Sequence, residues 1–109
     1  MLHLQQCQRI QTGAPSLNAE QCHTLLIELS PQWTLHETEK QLHRRFEFSS
    51  YYHTIAFVNA VAWIAEQQDH HPELNVGHNI CEVRYTTHAA NGLTLNDFIC
   101  AARIEQLLV

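Results

Sequence analysis

Positive charge is scarce in this sequence: six Lys and Arg residues stand against eleven Asp and Glu, for a formal net charge of -5. Phosphate backbones and anionic lipid surfaces are gripped by clustered cations, so no direct nucleic-acid partner is expected. Long apolar runs are also missing. No stretch approaches the roughly 20 apolar residues of a membrane span, and Gln5, Gln6, Gln8 and Arg9 interrupt any apolar run near Met1 that could act as a secretory signal. No membrane association is expected, and the expected location is cytoplasmic. Cys7, Cys22, Cys81 and Cys100 contain no CxxC pair, which removes the local signature of a zinc knuckle or a redox motif. Without a secretion signal they are expected to be reduced thiols serving as small apolar residues. There is no internal repeat at a solenoid-like period and no low-complexity tract.

What remains is a chain of 109 residues with 45% hydrophobic content, which fits one compact domain. So short a chain buries a limited fraction of its surface, and a homo-oligomer, dimer or tetramer, would add burial. Residues 1–15 carry no clear periodicity and include Gly13 and Pro15; they read as an N-terminal extension, with the single domain spanning residues 16–109.

From Asn18 the pattern becomes regular. Asn18 with Gln21 resembles a capping box, and Cys22, Leu25, Leu26 and Leu29 fall at helical spacing, giving a first helix that stops near Ser30 and Pro31. Trp33 and Leu35 alternate with polar residues. After the link Glu37-Thr38-Glu39-Lys40, so do Leu42, Phe46 and Phe48, with Arg44 the exception on the apolar side. Ser49 and Ser50 offer caps for a second helix whose broad apolar stripe, Ile55, Phe57, Val58, Val61 and Ile64 among it, makes it the expected most buried element. Pro72 forces His71 out of helical geometry and closes that helix at about Asp69 or His70.

Leu74, Val76 and His78 share one face of a short strand, and Cys81, Val83, Tyr85 and Thr87 one face of the next, with Gly77-His78-Asn79 as the bend. Asn91 and Gly92 break the chain, Thr94 with Asp97 forms a capping box, and Phe98, Ala101, Ile104 and Leu108 mark a final helix. The order α-β-β-α-β-β-α, with hairpin-linked strand pairs, predicts an α+β fold: a four-stranded antiparallel sheet with three helices packed on one face.

Nine histidines are a heavy load, and two local features stand out. Glu66 and His70 are four apart at the end of the second helix, where an acid on the same face can orient an imidazole. His70 and His71 are adjacent, and imidazole, titrating near neutrality, can both give and take a proton. The plain structural alternative is a polar helix end that complements the helix dipole. The second feature is Thr86-Thr87-His88, followed by Asn91-Gly92-Leu93-Thr94 and Asp97, whose structural alternative is a capped loop.

Together, Glu66, His70-His71-Pro72, His88 and Asp97 resemble, in type and spacing, the motif of the pterin-4a-carbinolamine dehydratase family. Trp33, Phe46-Glu47-Phe48, Phe57-Val58, Ala65-Glu66, Thr87-His88 and Gly92-Leu93-Thr94 add to the resemblance, which covers roughly residues 16 to 108. His78 departs from it, standing where the family usually has Tyr, Trp or Phe.

The resemblance implies a hydro-lyase that converts a 4a-hydroxytetrahydropterin into quinonoid dihydropterin and water, without metal or organic cofactor, in support of tetrahydrobiopterin recycling. By this likeness His70 and His88 form the proton-transfer pair and His71 binds or orients the pterin. Glu66 and Asp69 orient the cluster, and Pro72, Thr86, Thr87 and Ala89 wall the pocket. Asp97 joins the binding set, and Trp33 either closes the pocket or belongs to the core. A functional link to an aromatic amino-acid hydroxylase and assembly into dimers or tetramers are implied as well.

Three rival readings stand beside this one. Zinc could be held among His70, His71, His78, Cys81 and His88, although these residues lack a second ligand pair at zinc spacing. The chain could be a non-catalytic binding or regulatory protein, which fold resemblance does not exclude. It could also act on another pterin.

Overall fold

The computed structural model describes residues 1–36, 38 and 40–108. Its elements run α1 (Ala19–Leu26), β1 (Thr34–His36), β2 (Gln41–Glu47), α2 (Tyr51–Gln68), β3 (Glu73–Val76), β4 (Ile80–Tyr85) and α3 (Leu95–Glu105), with short 3-10 turns at Leu2–Leu4, His88–Ala90 and Gln106–Leu108. The α+β fold and the element order match the expectation, and the four strands form one antiparallel sheet ordered β1-β2-β4-β3. Glu37 and Glu39 of the expected polar link lie outside the described residues.

Local chemistry sets the element boundaries. The Asn18 side chain accepts from the Gln21 N–H at 2.8 Å, and the Gln21 side chain accepts from the Asn18 N–H at 2.9 Å, so two of the unpaired donors that open a helix are satisfied. Helix α1 ends at Leu26, earlier than Ser30; turns closed by Glu28 N–H to Leu25 O and Leu29 N–H to Leu26 O then carry Leu29 into the core. Ser50 caps α2 by accepting from the His53 N–H at 3.2 Å, and Asp69, in left-handed geometry at φ 51 and ψ 43, ends it. Helix α3 likewise stops at Glu105, before Leu108, which is exposed.

Leu42 and Phe46 of β2 and Cys81, Val83 and Tyr85 of β4 are buried on the helical face of the sheet. Arg44, the exception within that stripe, is accommodated rather than expelled. Its guanidinium lies over the Phe46 ring, 4.3 Å from the centroid, and its Nη1 lies 3.9 Å from Glu105 Oε1, so an aromatic face and a carboxylate offset part of the cost of burying the charge.

Helix α2 is not the most buried element. It buries Thr54, Phe57, Val61 and Ala65 and leaves Tyr51, Tyr52 and Trp63 exposed, whereas α3 buries Asn96 to Ala102 continuously and Ile104 besides. The reason is the N-terminal segment. The start of residues 1–15, read as an extension, lies against α3: Leu2 is buried in the common core, and Gln5 O accepts from Arg103 Nε and Nη2 at 3.1 and 2.6 Å. Apolar periodicity counts the faces that could be covered; it does not say which segment arrives to cover them.

Candidate active site

His70 sits just past the left-handed Asp69, its backbone N–H donating to Ala65 O at 3.1 Å, so the chain has already turned off the helix when the imidazole emerges. The ring is nearly buried, with the side chain 12% accessible. It stacks on Tyr85 from β4, centroids 5.2 Å apart and planes 18° apart, and the Tyr85 hydroxyl donates to His70 O at 3.3 Å. Burial pushes the Tyr85 phenol far above its ordinary value, so it remains a neutral platform and donor.

The edge of the His70 ring meets Asp97, with Nε2 2.6 Å from Oδ1. Asp97 is fully buried, and its other oxygen, Oδ2, accepts from the Thr87 hydroxyl at 2.8 Å and from the Thr94 N–H at 2.9 Å. With the Thr87 hydroxyl proton given to Asp97, Thr94 Oγ1 donates to Thr87 Oγ1 at 2.8 Å, which completes a satisfied buried network. Asp97 is thus both the helix-opening carboxylate that its spacing from Thr94 predicts and the partner that fixes His70. Nε2 carries the hydrogen toward Asp97, which leaves Nδ1 as the nitrogen available to a bound molecule.

Burial works against a charge on His70, but the hydrogen bond and the charge of Asp97, aided by Cys7 and Asp69, outweigh it and hold the imidazole above its usual 6.5. A raised folded value means that protonated His70 stabilises the fold. That contribution is complete below about pH 6.5 and is lost as pH rises through the higher folded value. The stability advantage of wild type over His70→Gln, read as the difference in urea midpoints, should therefore shrink as pH rises from about 6.5 through the higher folded value; an advantage independent of pH would contradict the pairing.

His70 borders a cavity of about 320 Å³ whose lining also includes Asp69, His71, Thr86, Thr87, His88 and Ala89. The structure thus brings together three histidines from two separate loops, the end of α2 and the turn after β4. It adds a wall that the sequence reading lacked: Gln8, Arg9 and Ile10 from the N-terminal segment, and Asn96 from the first turn of α3. Asn96 clamps that segment by donating to Gln8 O at 2.7 Å and accepting from the Gln8 N–H at 3.0 Å, while the Cys7 N–H donates to Gln68 Oε1 at 2.8 Å.

Residues 15–107 match the family model described as pterin 4 alpha carbinolamine dehydratase. The chain belongs to the pterin 4 alpha carbinolamine dehydratase family. A relative from Legionella pneumophila strain Corby, provisionally named a pterin-4-alpha-carbinolamine dehydratase, is 51% identical over 98% of this chain and 92% of its own length. One from Nitrosomonas eutropha, provisionally named likewise, is 48% identical over 94% and 89%. Among solved structures, a transcriptional coactivator/pterin dehydratase from Brucella melitensis superposes with a TM-score of 0.80 at 27% identity, covering 84% of this chain and 97% of that one. A pterin dehydratase-like protein identified as a RuBisCO assembly factor in the alpha-carboxysome gives a TM-score of 0.61 at 27% identity, over 70% and 88%.

Within this dehydratase-family chain, some residues expected at the site lie elsewhere. Glu66 is exposed and outside the cavity lining, because the left-handed Asp69 rotates His70 away from the face that a continuous helix would share with it; Asp97 takes the orienting position instead. Trp33 is 1% accessible in the core, edge-on to Phe46 with centroids 6.0 Å apart, and does not line the cavity. Pro72 is half-buried and does not line the cavity. Thr86 does line it, although its hydroxyl is engaged with Lys40 O at 2.7 Å.

His78 lies at the β3–β4 bend, where its backbone O accepts from the Thr54 hydroxyl at 3.0 Å, and it is not part of the lining. With Cys81 fully buried on β4, neither joins the three histidines, and among the described residues no group of three or more His, Cys, Asp or Glu is placed to hold a metal ion. Among the same residues, no helix is long and apolar enough to cross a membrane.

Proposed function

We propose that this chain is a hydro-lyase that removes water from a 4a-hydroxytetrahydropterin. His70, protonated and held by Asp97, donates to the departing C4a hydroxyl; His88, on the turn after β4, or a water it binds, accepts the N5 proton. The products are quinonoid dihydropterin and water, no cofactor is consumed, and His71 and Asp69 contribute to binding. The observation that carries this reading is the 2.6 Å His70–Asp97 pair at the wall of a cavity that His71 and His88 also line. Such a pair raises the acidity range of an imidazole into the region where a general acid works at neutral pH.

In the cell the activity would support tetrahydrobiopterin recycling beside an aromatic amino-acid hydroxylase, in the cytoplasm. The exposed Tyr52 and Trp63 on α2 support assembly into dimers or tetramers, which light scattering on a sizing column would read.

The deciding experiment follows freshly generated 4a-hydroxytetrahydropterin by ultraviolet absorbance with the purified chain, with and without a chelator. Acceleration that the chelator leaves untouched is expected. Folded protein without acceleration would favour a binding role, a reading to which one structural neighbour, a transcriptional coactivator/pterin dehydratase, and the other, a RuBisCO assembly factor, give weight; chelator sensitivity would favour a metal site.

A further inference from the structure

The widely spaced cysteines conceal a pair. Cys7 Sγ lies 3.6 Å from Cys100 Sγ across 93 positions of sequence, a contact between the N-terminal segment and the middle of α3. Cys22 and Cys81 are buried in the core, at 1% and 0% accessibility. Cys7 is half-buried and belongs to the segment whose next three residues wall the histidine cavity, so one residue of the pair is partly open to solvent, whereas Cys100 is fully buried.

We propose that Cys7 and Cys100 form an oxidisable dithiol that a hydroperoxide closes to a disulfide, pinning the N-terminal wall of the cavity to α3. A disulfide needs the sulfurs at about 2.05 Å, and the required approach falls on an irregular segment rather than on two rigid helices. The segment is otherwise held by the buried Leu2 and by hydrogen bonds between Gln8 and Asn96, from Cys7 N–H to Gln68, from Cys7 Sγ to Asn96 O at 3.6 Å and from Arg103 to Gln5 O, and these bonds tolerate small displacements.

The two thiols are chemically unequal. The hydrogen bond from Cys100 lowers the Cys7 thiol below its usual 9.0 against the opposing effect of burial, and the nearby His70 charge helps. The same hydrogen bond, with burial, pushes Cys100 far upward. Cys7 is therefore the nucleophile and Cys100 the resolving thiol. In the first step Cys7 sulfur attacks the outer oxygen of the hydroperoxide; the O–O bond breaks, the alcohol or water leaves with a proton, and Cys7 becomes a sulfenic acid. In the second, Cys100 sulfur attacks Cys7 sulfur; the S–S bond forms, the S–O bond breaks, and the departing hydroxide leaves as water with the Cys100 proton. Two electrons pass from the sulfurs to the peroxide.

Titrating the full chain with hydrogen peroxide, then unfolding and alkylating it, counts the surviving thiols. Wild type should fall from four to two, with a Cys7–Cys100 cross-linked peptide that a dithiol reductant removes. Cys7→Ser should keep its three remaining thiols at the same dose. Amide exchange of residues 5–10 should slow in the oxidised form. Four surviving thiols, a cross-link involving Cys22 or Cys81, or sulfinic acid accumulating on Cys7 in folded protein would overturn the pairing. Unchanged exchange in cross-linked protein would overturn the pinning. These readouts follow sulfur and backbone, so they stand or fall separately from the dehydration assay.

Discussion

His70→Ala should lower the rate of 4a-hydroxytetrahydropterin dehydration by about 10²–10⁴-fold, the range that general acid–base groups contribute, while leaving the fold intact. The structure explains the second half of that expectation. Removing the imidazole frees only Asp97 Oδ1, since Oδ2 keeps the Thr87 hydroxyl and the Thr94 N–H. The vacated space adjoins an open cavity that water can enter and hydrate the carboxylate. Far-ultraviolet circular dichroism and the urea midpoint check the fold, and single-turnover absorbance the rate. A folded variant that turns over at the wild-type rate would remove His70 from the chemistry. His88→Ala tests the other half of the proton path and should cost turnover without disturbing the buried network, because His88 is exposed.

Asp97 predicts the opposite balance of effects. Asp97→Ala should destabilise the chain by about 3–5 kcal/mol, the cost of breaking a buried charged pair and stranding its donors. Against the 5–15 kcal/mol of a typical domain this is a large fraction. The Thr94 N–H, the Thr87 hydroxyl and His70 would all lose their acceptor at once. Asp97→Asn keeps the shape and an accepting oxygen and should cost only about 1–2 kcal/mol, but it withdraws the charge that raises His70. Its acid–base signature should be a downward shift of the pH at which activity declines on the alkaline side, since a less basic His70 loses its proton sooner. Urea titration separates the two variants in stability and a pH–rate profile separates them in chemistry. An Asp97→Asn profile that superposes on wild type would mean that the carboxylate charge does not tune the imidazole.

That one residue carries both a helix start and an imidazole partner shows what sequence can and cannot disclose. The spacing of Thr94 and Asp97 is a local signal, and reading it as a cap is right as far as it goes; the contact with His70, 27 positions away, has no local signature. The sheet, its hairpins and the first helix cap were legible because alternation, turn residues and capping side chains act within a few residues of one another.

The N-terminal wall of the site was not legible for the converse reason. It is irregular backbone held by side chains 61 and 88 positions distant, so no periodicity marks it. A buried-side Asn96 next to Asp97, in a helix otherwise apolar on that face, was the one available hint that something polar must dock there. Glu66 failed through a single backbone angle. The i, i+4 argument assumes a helix continuous through His70, and the positive φ of Asp69 ends it one residue too early.

The two tryptophans give this protein an internal pair of optical reporters. Trp33 is sealed in the core, its indole N–H without a partner among the described residues, whereas Trp63 stands on α2 at 63% accessibility. Iodide should extinguish the red-shifted emission of Trp63 and spare the blue-shifted emission of Trp33 until the chain unfolds. If subunits associate through α2, that red component should become shielded on concentration, so a single quenching titration distinguishes loss of the core from loss of the assembly.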